Sequence, residues 1–133
     1  MHNPRLTVDG VIICNSRIVL VQRAHDPFKG RWALPGGFVD YDETVETAVM
    51  REVHEETALY TQIDRLVGVY SNPERDPRGH TVSVTFLLTV TSGDIKAGDD
   101  AADARWFELD DLPSLAFDHT KIVRDARRLL GNP

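Results

Sequence analysis

The spacing of apolar and polar positions predicts a series of short strands interrupted by two helices. Apolar runs bounded by turn residues are typical of strands, and they occur at residues 6–14, 17–23, 66–71, 81–91 and 104–108, with a short extended piece at 31–34. The second run, RIVLVQR, is typical of a central strand because its centre is continuously apolar. Asn15 and Ser16 are expected to form the turn between the first two strands.

The two helices are predicted in different parts of the chain. The first begins near Tyr41, because Asp40 and Glu43 have the spacing of a capping box, and it ends near Thr57. The second covers residues 118–130, and its buried stripe consists of Ile122, Val123, Ala126, Leu129 and Leu130. Strands interleaved with two such helices predict an α/β fold in which a mixed sheet lies between helices.

Length and composition are those of one ordinary globular domain. The chain has 133 residues, 41% hydrophobic and 27% charged, so residues 1–133 are expected to form a single domain. No apolar run approaches the ~20 residues of a membrane span, and the N-terminus lacks the layout of a signal peptide. The single cysteine, Cys14, excludes an intramolecular disulfide and is expected to pack as a small apolar residue. We therefore expect a cytoplasmic protein with no membrane partner.

The charge balance separates two kinds of partner. A net charge of −6 argues against a general nucleic-acid binder, because such proteins present a basic face. The negative net charge does not exclude a small phosphorylated ligand, since metal ions and a few local arginines offset the charge of phosphates. The expected partner is therefore a small molecule and not a nucleic acid.

Residues 37–59 concentrate acidic side chains in an unusual place. The segment contains seven acids beside one arginine and no lysine. In the predicted helix, Glu52 and Glu56 fall within the apolar stripe, and Glu55 lies on its flank. Carboxylates on the inward side of a helix repel one another and lose hydration, so they need a positive partner. Without a local lysine, the pattern predicts a divalent metal ion.

The order of residues in this segment resembles the Nudix box, GX5EX7REUXEEXGU, in which U is a bulky aliphatic residue. The segment GFVDYDETVETAVMREVHEETAL matches it at every charged position, and the one departure is Ala58 in place of the last glycine. That glycine allows a tight turn after the helix, and a positive φ at alanine is strained, so the helix is expected to end slightly differently here. The WALPGG and RWFELDDLP segments extend the resemblance over about residues 7–115.

The resemblance to Nudix hydrolases implies a fold, a reaction and a metal site. The fold is an α/β/α sandwich, and the reaction is water attack on a phosphorus of a nucleoside diphosphate derivative, assisted by Mg²⁺ or Mn²⁺. Matching residue for residue assigns the metal ligands as Glu52, Glu55, Glu56 and the backbone carbonyl of Gly37. It also counts Glu43 and Arg51 among the catalytic residues, as an ion pair that braces the loop against the helix.

The resemblance leaves the general base open. Glu52 or Glu55 would activate the attacking water directly. Other members of the family use a carboxylate from the loop before the last strand, where this chain has three aspartates: Asp99, Asp100 and Asp103. Asp100 is favoured among them by its spacing to Trp106.

Residues 71–80, SNPERDPRGH, point to the substrate. The RDPRG run is similar to an element of the ADP-ribose pyrophosphatases of the Nudix family. Arg75 and Arg78 can present planar forks to phosphate or ribose oxygens. Three further candidates for substrate contact lie near the glycine pair of the WALPGG segment: Arg23, Lys29 and Arg31. Trp32 is expected either to stack on adenine or to belong to the core.

These features indicate a magnesium-dependent ADP-ribose pyrophosphatase that yields AMP and ribose 5-phosphate. The same box also serves hydrolysis of oxidised or ordinary nucleoside triphosphates. A third reading is a nucleotide-sugar sensor without catalysis, in which the box is expected to be eroded. The resemblance further implies a homodimer, and the apolar stretch at residues 11–14 is expected in either the core or the interface.

Overall fold

The computed structural model describes residues 3–98 and 100–131. Its strands are β1 (Arg5–Cys14), β2 (Arg17–Arg23), β3 (Trp32–Ala33), β4 (Gly36–Phe38), β5 (Tyr60–Tyr70), β6 (Thr81–Ser92) and β7 (Ala101–Glu108), and its helices are α1 (Val45–Thr57) and α2 (His119–Leu129). Asp99, one of the three aspartates before the last strand, lies outside the described residues. In the part of the chain that is described, neither helix has the length and apolar character needed to cross a membrane.

The strands of the described residues form one mixed sheet. The main path has the order β3-β2-β1-β6-β5, while β4 pairs with β1 and β7 pairs with β2. The central β1 and β6 are parallel, and the remaining pairs are antiparallel. The predicted mixed sheet is therefore confirmed, and β2 occupies an interior position between β1 and its two other partners.

The two helices cover opposite faces of this sheet. Successive side chains of a strand point to opposite faces, and in β1 Val8 and Ile12 pack with α1 whereas Val11 packs with α2. The helices contribute their own apolar stripes to these two cores: Ala48, Val49 and Val53 from α1, and Ile122, Val123 and Ala126 from α2. This arrangement is the α/β/α sandwich implied by the resemblance. It also places Asp9 of β1 on the face covered by α2.

The start of α1 differs from the sequence prediction. Thr44 is the N-cap, and its hydroxyl accepts a hydrogen bond from Thr47 N–H at 3.1 Å. Asp40 and Glu43 do bond to each other, since Glu43 accepts from Asp40 N–H at 3.0 Å, but their contact closes the turn before the helix. The predicted start near Tyr41 is therefore wrong, and the predicted end at Thr57 is correct.

The end of α1 corrects the expectation for Ala58. Ala58 adopts the left-handed conformation with φ 65°, and its N–H bonds to the carbonyl of His54. This is the ending that a glycine would give, and alanine adopts it at a cost in backbone strain. The expectation of a different helix ending is therefore wrong.

Two strands begin earlier than the sequence predicts. β5 starts at Tyr60 and β7 at Ala101, whereas the pattern placed their starts at residues 66 and 104. Register shifts at residues 63–65 and 66–68 of β5 interrupt the alternation by which a strand is recognised. The early part of β7 is extended because it pairs with the end of β2.

The apolar stretch at residues 11–14 belongs mainly to the core. Val11 and Ile12 are buried, and Ile13 packs partly buried against the core beneath α2. Cys14, at the end of β1, is exposed. The expectation that this thiol packs as a small apolar residue is therefore wrong, because the strand ends where the chain turns into β2.

Candidate active site

A cleft opens where β4 lies beside β1. It encloses about 130 Å³ and is bordered by α1, β2 and the loops that precede β6, β7 and α2. Residues predicted from the sequence that line it are Gly37, Glu56, Asp100, Arg23, Arg75 and Arg78. Arg23 and Asp100, which lie 77 positions apart in the chain, therefore share one space.

The glycines of β4 allow α1 to approach the sheet closely. Gly36 pairs with Asp9 of β1, and Gly37 pairs with Val8. A Cβ atom on Gly37 would lie 2.6 Å from the carboxyl carbon of Glu52. A side chain at position 37 would therefore displace the carboxyl group of Glu52, so the glycine that opens the motif leaves room for the inward position of Glu52.

Glu52 and Glu56 both turn inward, as the helical phase predicts. Glu56 accepts a hydrogen bond from Gly36 N–H at 3.0 Å, and the Glu52 side chain is only 16% exposed. Burial raises the pKa of Glu56 well above its usual value, and the neighbouring charges of Glu52, Asp9 and Asp100 raise it further. Burial also raises the pKa of Glu52. A bound cation would relieve both effects.

Arg51 is the centre of an ion-pair network beside these carboxylates. Its Nε and Nη2 donate to the two carboxylate oxygens of Glu43 at 2.7 and 2.9 Å, and Nη2 also donates to the carbonyl of Phe38 at 3.2 Å. Nη1 donates to Glu52 at 2.9 Å and to Glu55 at 3.2 Å. The bonds from Arg51 lower the pKa of Glu43 to about 2. The predicted Glu43–Arg51 ion pair is thus present and ties the preceding loop to the helix.

The donor atoms suit a hard divalent cation. Carboxylate and carbonyl oxygens are the ligands that Mg²⁺ and Mn²⁺ prefer, and Glu52, Glu56 and the backbone of Gly37 supply them. Glu55 does not converge with them, because its carboxylate is 52% exposed and bonds to Arg51. Among the described residues, no three Asp, Glu, His or Cys side chains are close enough to hold a metal ion as they stand. The argument that a divalent cation fits this site therefore rests on the two desolvated carboxyl groups of α1, those of Glu52 and Glu56.

The loop before β7 brings Asp100 to the cleft. It packs against the C-terminal end of α1, where Gly98 N–H donates to the carbonyl of Glu56 at 3.0 Å. A Cβ atom on Gly98 would overlap the carbonyl oxygen of Glu55, so the close approach requires glycine. Asp100 then lines the cleft, whereas Asp103 pairs with an arginine of β7.

Arg75 and Arg78 both line the cleft but differ in their partners. The buried guanidinium of Arg75 donates to both oxygens of Asp118 at 2.9 and 2.7 Å and to the Thr81 hydroxyl at 2.8 Å. Arg78 donates to Asp76 at 3.1 and 2.8 Å, and its side chain is 43% exposed. Arg75 is therefore held within the protein, while Arg78 has guanidinium surface left to meet a ligand.

The residues near the glycine pair of the WALPGG segment differ in whether they line the cleft. Arg23 lines the cleft, and its guanidinium lies 4.9 Å from the ring centre of Phe117. Lys29 and Arg31 are exposed and lie outside the described lining. Trp32 packs edge-on against a phenylalanine of β7, with ring centres 4.7 Å apart, in the core beneath α2. Of the two roles expected for Trp32, the core role is confirmed.

Among the lining residues that were not predicted as site residues are Asp9, Phe117 and His119. Asp9 accepts a hydrogen bond from the Ser83 hydroxyl, and burial raises its pKa to about 7. His119 accepts a hydrogen bond from Leu34 N–H at 3.0 Å, and burial lowers its pKa to about 4. A charged residue inside the apolar run LTVDGVII was a signal for Asp9. The other two come from a loop and a helix start and have no local signal.

The sequence matches a known family over most of its length. The NUDIX-domain family model matches residues 3–126. An ADP-ribose pyrophosphatase of Methanocaldococcus jannaschii is 54% identical to this chain over 126 residues, which are 95% of this chain and 75% of that protein.

Solved structures share the fold. A MutT/nudix family protein from Enterococcus faecalis has a TM-score of 0.87 at 32% identity, over 98% of this chain and 63% of its own. The NUDIX domain of Shewanella oneidensis NrtR, in a cocrystal with ADP ribose, has a TM-score of 0.86 at 33% identity, over 98% of this chain and 90% of its own. The chain thus spans less than two thirds of the Enterococcus protein. It spans three quarters of the Methanocaldococcus protein.

Proposed function

The chain belongs to the NUDIX family, and we propose that it hydrolyses the diphosphate bond of ADP-ribose, or of a closely related nucleoside diphosphate derivative. One water is consumed. Its oxygen forms the new bond to a phosphorus, the bridging oxygen leaves with the other phosphate, and the products are AMP and ribose 5-phosphate. Support comes from the 54% identical ADP-ribose pyrophosphatase and from the similar NUDIX domain that was crystallised with ADP-ribose.

The observation that carries the proposal is the meeting of carboxylates and arginines in one cleft. Glu56 and Asp100 line it together with Arg23 and Arg78. Inward carboxylates can hold a cation that offsets the charge of a diphosphate. Arginine forks donate to phosphate or ribose oxygens. A substrate in which a diphosphate joins two sugars uses both kinds of group.

The proposed cofactor is Mg²⁺, which Mn²⁺ can replace. Glu52, Glu56 and the carbonyl of Gly37 would hold it, and the family resemblance adds Glu55. When bound, the cation neutralises phosphate oxygens and so lowers the barrier to attack on phosphorus. The Arg51 network holds the helix and the preceding loop in register for this donor set.

Asp100 is the proposed acceptor of the proton that the attacking water loses. It lines the cleft together with Glu56, and its charge contributes to the raised pKa of Glu56. Its loop is fixed to α1 by the bond from Gly98 N–H. The remaining candidates, Glu52 and Glu55, already accept hydrogen bonds from Arg51.

A homodimer in the cytoplasm is the proposed working form. The single cysteine suits a reducing compartment. Exposed apolar side chains occur on β5 and at the end of α2: Leu66, Val69, Leu129 and Leu130. The two elements adjoin, since Arg65 donates to the Leu129 carbonyl at 3.1 Å, and contact between two copies would bury this surface. Light scattering that returns 14.9 kDa, the mass of one chain, would contradict the dimer.

Steady-state hydrolysis of ADP-ribose and of a nucleoside triphosphate panel tests the proposed reaction. We expect the highest kcat/KM for ADP-ribose, with AMP and ribose 5-phosphate identified by chromatography. A higher kcat/KM for an oxidised or ordinary triphosphate would overturn the proposal in favour of the triphosphatase. Binding of ADP-ribose without turnover of any substrate would instead indicate the sensor.

A further inference from the structure

The cleft contains a buried pair of polar groups that the proposed reaction does not use. Asp9 is 7% exposed and His119 is 4% exposed, and both line the cleft. They come from β1 and from the first residue of α2, and Asp9 neighbours Glu56 of α1 across Gly36, which pairs with Asp9 and donates its N–H to Glu56. Buried polar groups that face a binding cleft commonly fix the orientation of its ligand.

The contacts of His119 define which nitrogen carries the proton. Nδ1 accepts a hydrogen bond from the backbone N–H of Leu34 at 3.0 Å, so Nδ1 is unprotonated and the neutral ring has its proton on Nε2. Burial lowers the pKa of His119 to about 4, so the ring is neutral at pH 7. Nε2–H is therefore a hydrogen-bond donor, and Nε2 lies 3.7 Å from Oδ1 of Asp9.

The distance of 3.7 Å is too long for a hydrogen bond between the two side chains. Asp9 is held through its other oxygen, Oδ2, by the Ser83 hydroxyl, which also contacts the Thr85 hydroxyl at 3.0 Å. In the ionised carboxyl, Oδ1 is thus left as an acceptor beside the Nε2–H donor. The nearby cation Arg75 does not compete for it, because its guanidinium donates to Asp118 and a threonine.

We propose that Asp9 and His119 bind an uncharged edge of the substrate that offers one donor and one acceptor side by side. This inference rests on the proposed function and names two specificity-determining residues for it. ADP-ribose has such an edge on its base, at N1 and N6 of adenine, and on each of its two riboses, at their adjacent hydroxyls. A phosphate has neither, because it offers acceptors and a negative charge beside the Asp9 carboxyl. The pair therefore selects for a sugar or a base at this place in the cleft.

Two substitutions at His119 separate substrate contact from packing. In His119→Asn the amide oxygen takes the place of Nδ1 and keeps the Leu34 bond, but the Nε2–H donor is lost. In His119→Gln the amide nitrogen takes the place of Nε2, and the Leu34 bond is lost. We expect His119→Asn to lower kcat/KM for ADP-ribose by about tenfold to hundredfold at a nearly unchanged Tm. His119→Gln should retain more of kcat/KM and have the lower Tm.

IDP-ribose identifies whether the base or a ribose is bound. Its hypoxanthine reverses the donor and acceptor at N1 and at position 6 of the base, while both riboses are unchanged. If the pair binds adenine, the wild-type protein prefers ADP-ribose to IDP-ribose, and His119→Asn reduces that preference because only the contact of Asp9 with the base remains. If the pair binds a ribose, His119→Asn loses the same factor on both substrates. Either result supports the pair.

Wild-type kcat/KM on both substrates in His119→Asn, at an unchanged Tm, would overturn the inference and leave the proposed function intact. A wild-type protein that does not hydrolyse ADP-ribose overturns the proposed function and this inference together. Should His119→Asn not fold, Asp9→Asn decides the question, because it keeps the shape and removes the charge of the acceptor. A loss of about fivefold or more in kcat/KM for ADP-ribose supports the pair, and an unchanged value overturns it.

Discussion

Arg51 holds Glu43 through two hydrogen bonds of 2.7 and 2.9 Å, so the loop before α1 is fixed to the middle of the helix. The same guanidinium donates to the carbonyl of Phe38. Phe38 follows Gly37, whose backbone packs against the carboxyl of Glu52. The ion pair therefore positions the backbone on which the inward carboxylates lie, although neither Glu43 nor Arg51 lines the cleft.

Glu43→Gln should make the stability of the fold less sensitive to acid. The bonds from Arg51 lower the pKa of Glu43 from 4.5 to about 2 in the folded state. A carboxyl with a lowered pKa stabilises the fold above its unfolded pKa, and that contribution is lost as the pH falls from 4.5 to about 2. Thermal melts across this range should therefore show a smaller decrease of Tm for Glu43→Gln than for the wild-type protein.

Glu46→Gln is the control for this measurement. Glu46 is an exposed acid in the first turn of the same helix, so its variant should follow the wild-type curve. Parallel curves for Glu43→Gln and the wild-type protein would show that the ion pair does not contribute to stability.

Ala58→Gly should stabilise the protein. Ala58 has a φ of 65°, which costs an alanine strain that glycine does not have. The greater freedom of glycine in the unfolded chain offsets part of this gain, so we expect a net increase of about 0.5–1 kcal/mol in the free energy of unfolding. Urea denaturation measures it. As a control, Arg124→Gly at an exposed position inside α2 should lose about 1 kcal/mol. A less stable Ala58→Gly protein would contradict the left-handed ending.

The two arginines of the RDPRG run should respond differently to truncation. Arg75→Ala removes a buried guanidinium from Asp118 and should lower the free energy of unfolding by about 3 kcal/mol. Arg78→Ala should leave Tm nearly unchanged and lower kcat/KM for ADP-ribose by about 1.5–3 kcal/mol of transition-state binding, because a charge-assisted contact is lost.

Kinetics on two substrates completes this comparison. Arg78→Ala should lose more on ADP-ribose than on ATP if Arg78 binds the ribose side of the diphosphate. Arg78→Lys, which keeps the charge but not the fork, should recover only part of the loss. Unchanged kcat and KM for ADP-ribose in Arg78→Ala would indicate that the loop containing the RDPRG run is an ordinary surface segment without substrate contact.

The sequence was sufficient for features that depend on local periodicity. One helix places Glu52 and Glu56 four positions apart, so their inward direction follows from the helical phase and needs no knowledge of the partners. The Arg51–Glu43 pair lies within the same motif and could be predicted in the same way. The start of α1 could not, because Thr44 and Asp40 both have N-cap chemistry and only the path of the chain decides between them.

Features that join distant segments could not be predicted from one sequence. Arg75 was expected to contact the substrate. In the structure its guanidinium group donates hydrogen bonds to Asp118, which lies 43 positions away in the chain. Asp9 and His119 approach each other only because β1 and the start of α2 meet on one face of the sheet. No local pattern encodes either contact, because each results from the packing of two elements rather than from the propensity of one.

The dependence of ADP-ribose hydrolysis on Mg²⁺ and on Glu56 tests the central claim. Initial rates of AMP release are measured across a Mg²⁺ titration for the wild-type protein, for Glu56→Gln and for the control Glu46→Gln. Burial raises the pKa of Glu56, so its ionised form destabilises the metal-free fold, and Glu56→Gln should have an equal or higher Tm without metal. Any loss of activity in this variant can then be separated from a loss of folding.

We predict that the wild-type protein and Glu46→Gln release AMP and ribose 5-phosphate with a saturable dependence on Mg²⁺. Turnover by Glu56→Gln should be lower by about 10² or more at saturating Mg²⁺. Near-normal turnover by Glu56→Gln at saturating Mg²⁺, or wild-type turnover that is indifferent to removal of the metal, would contradict the account.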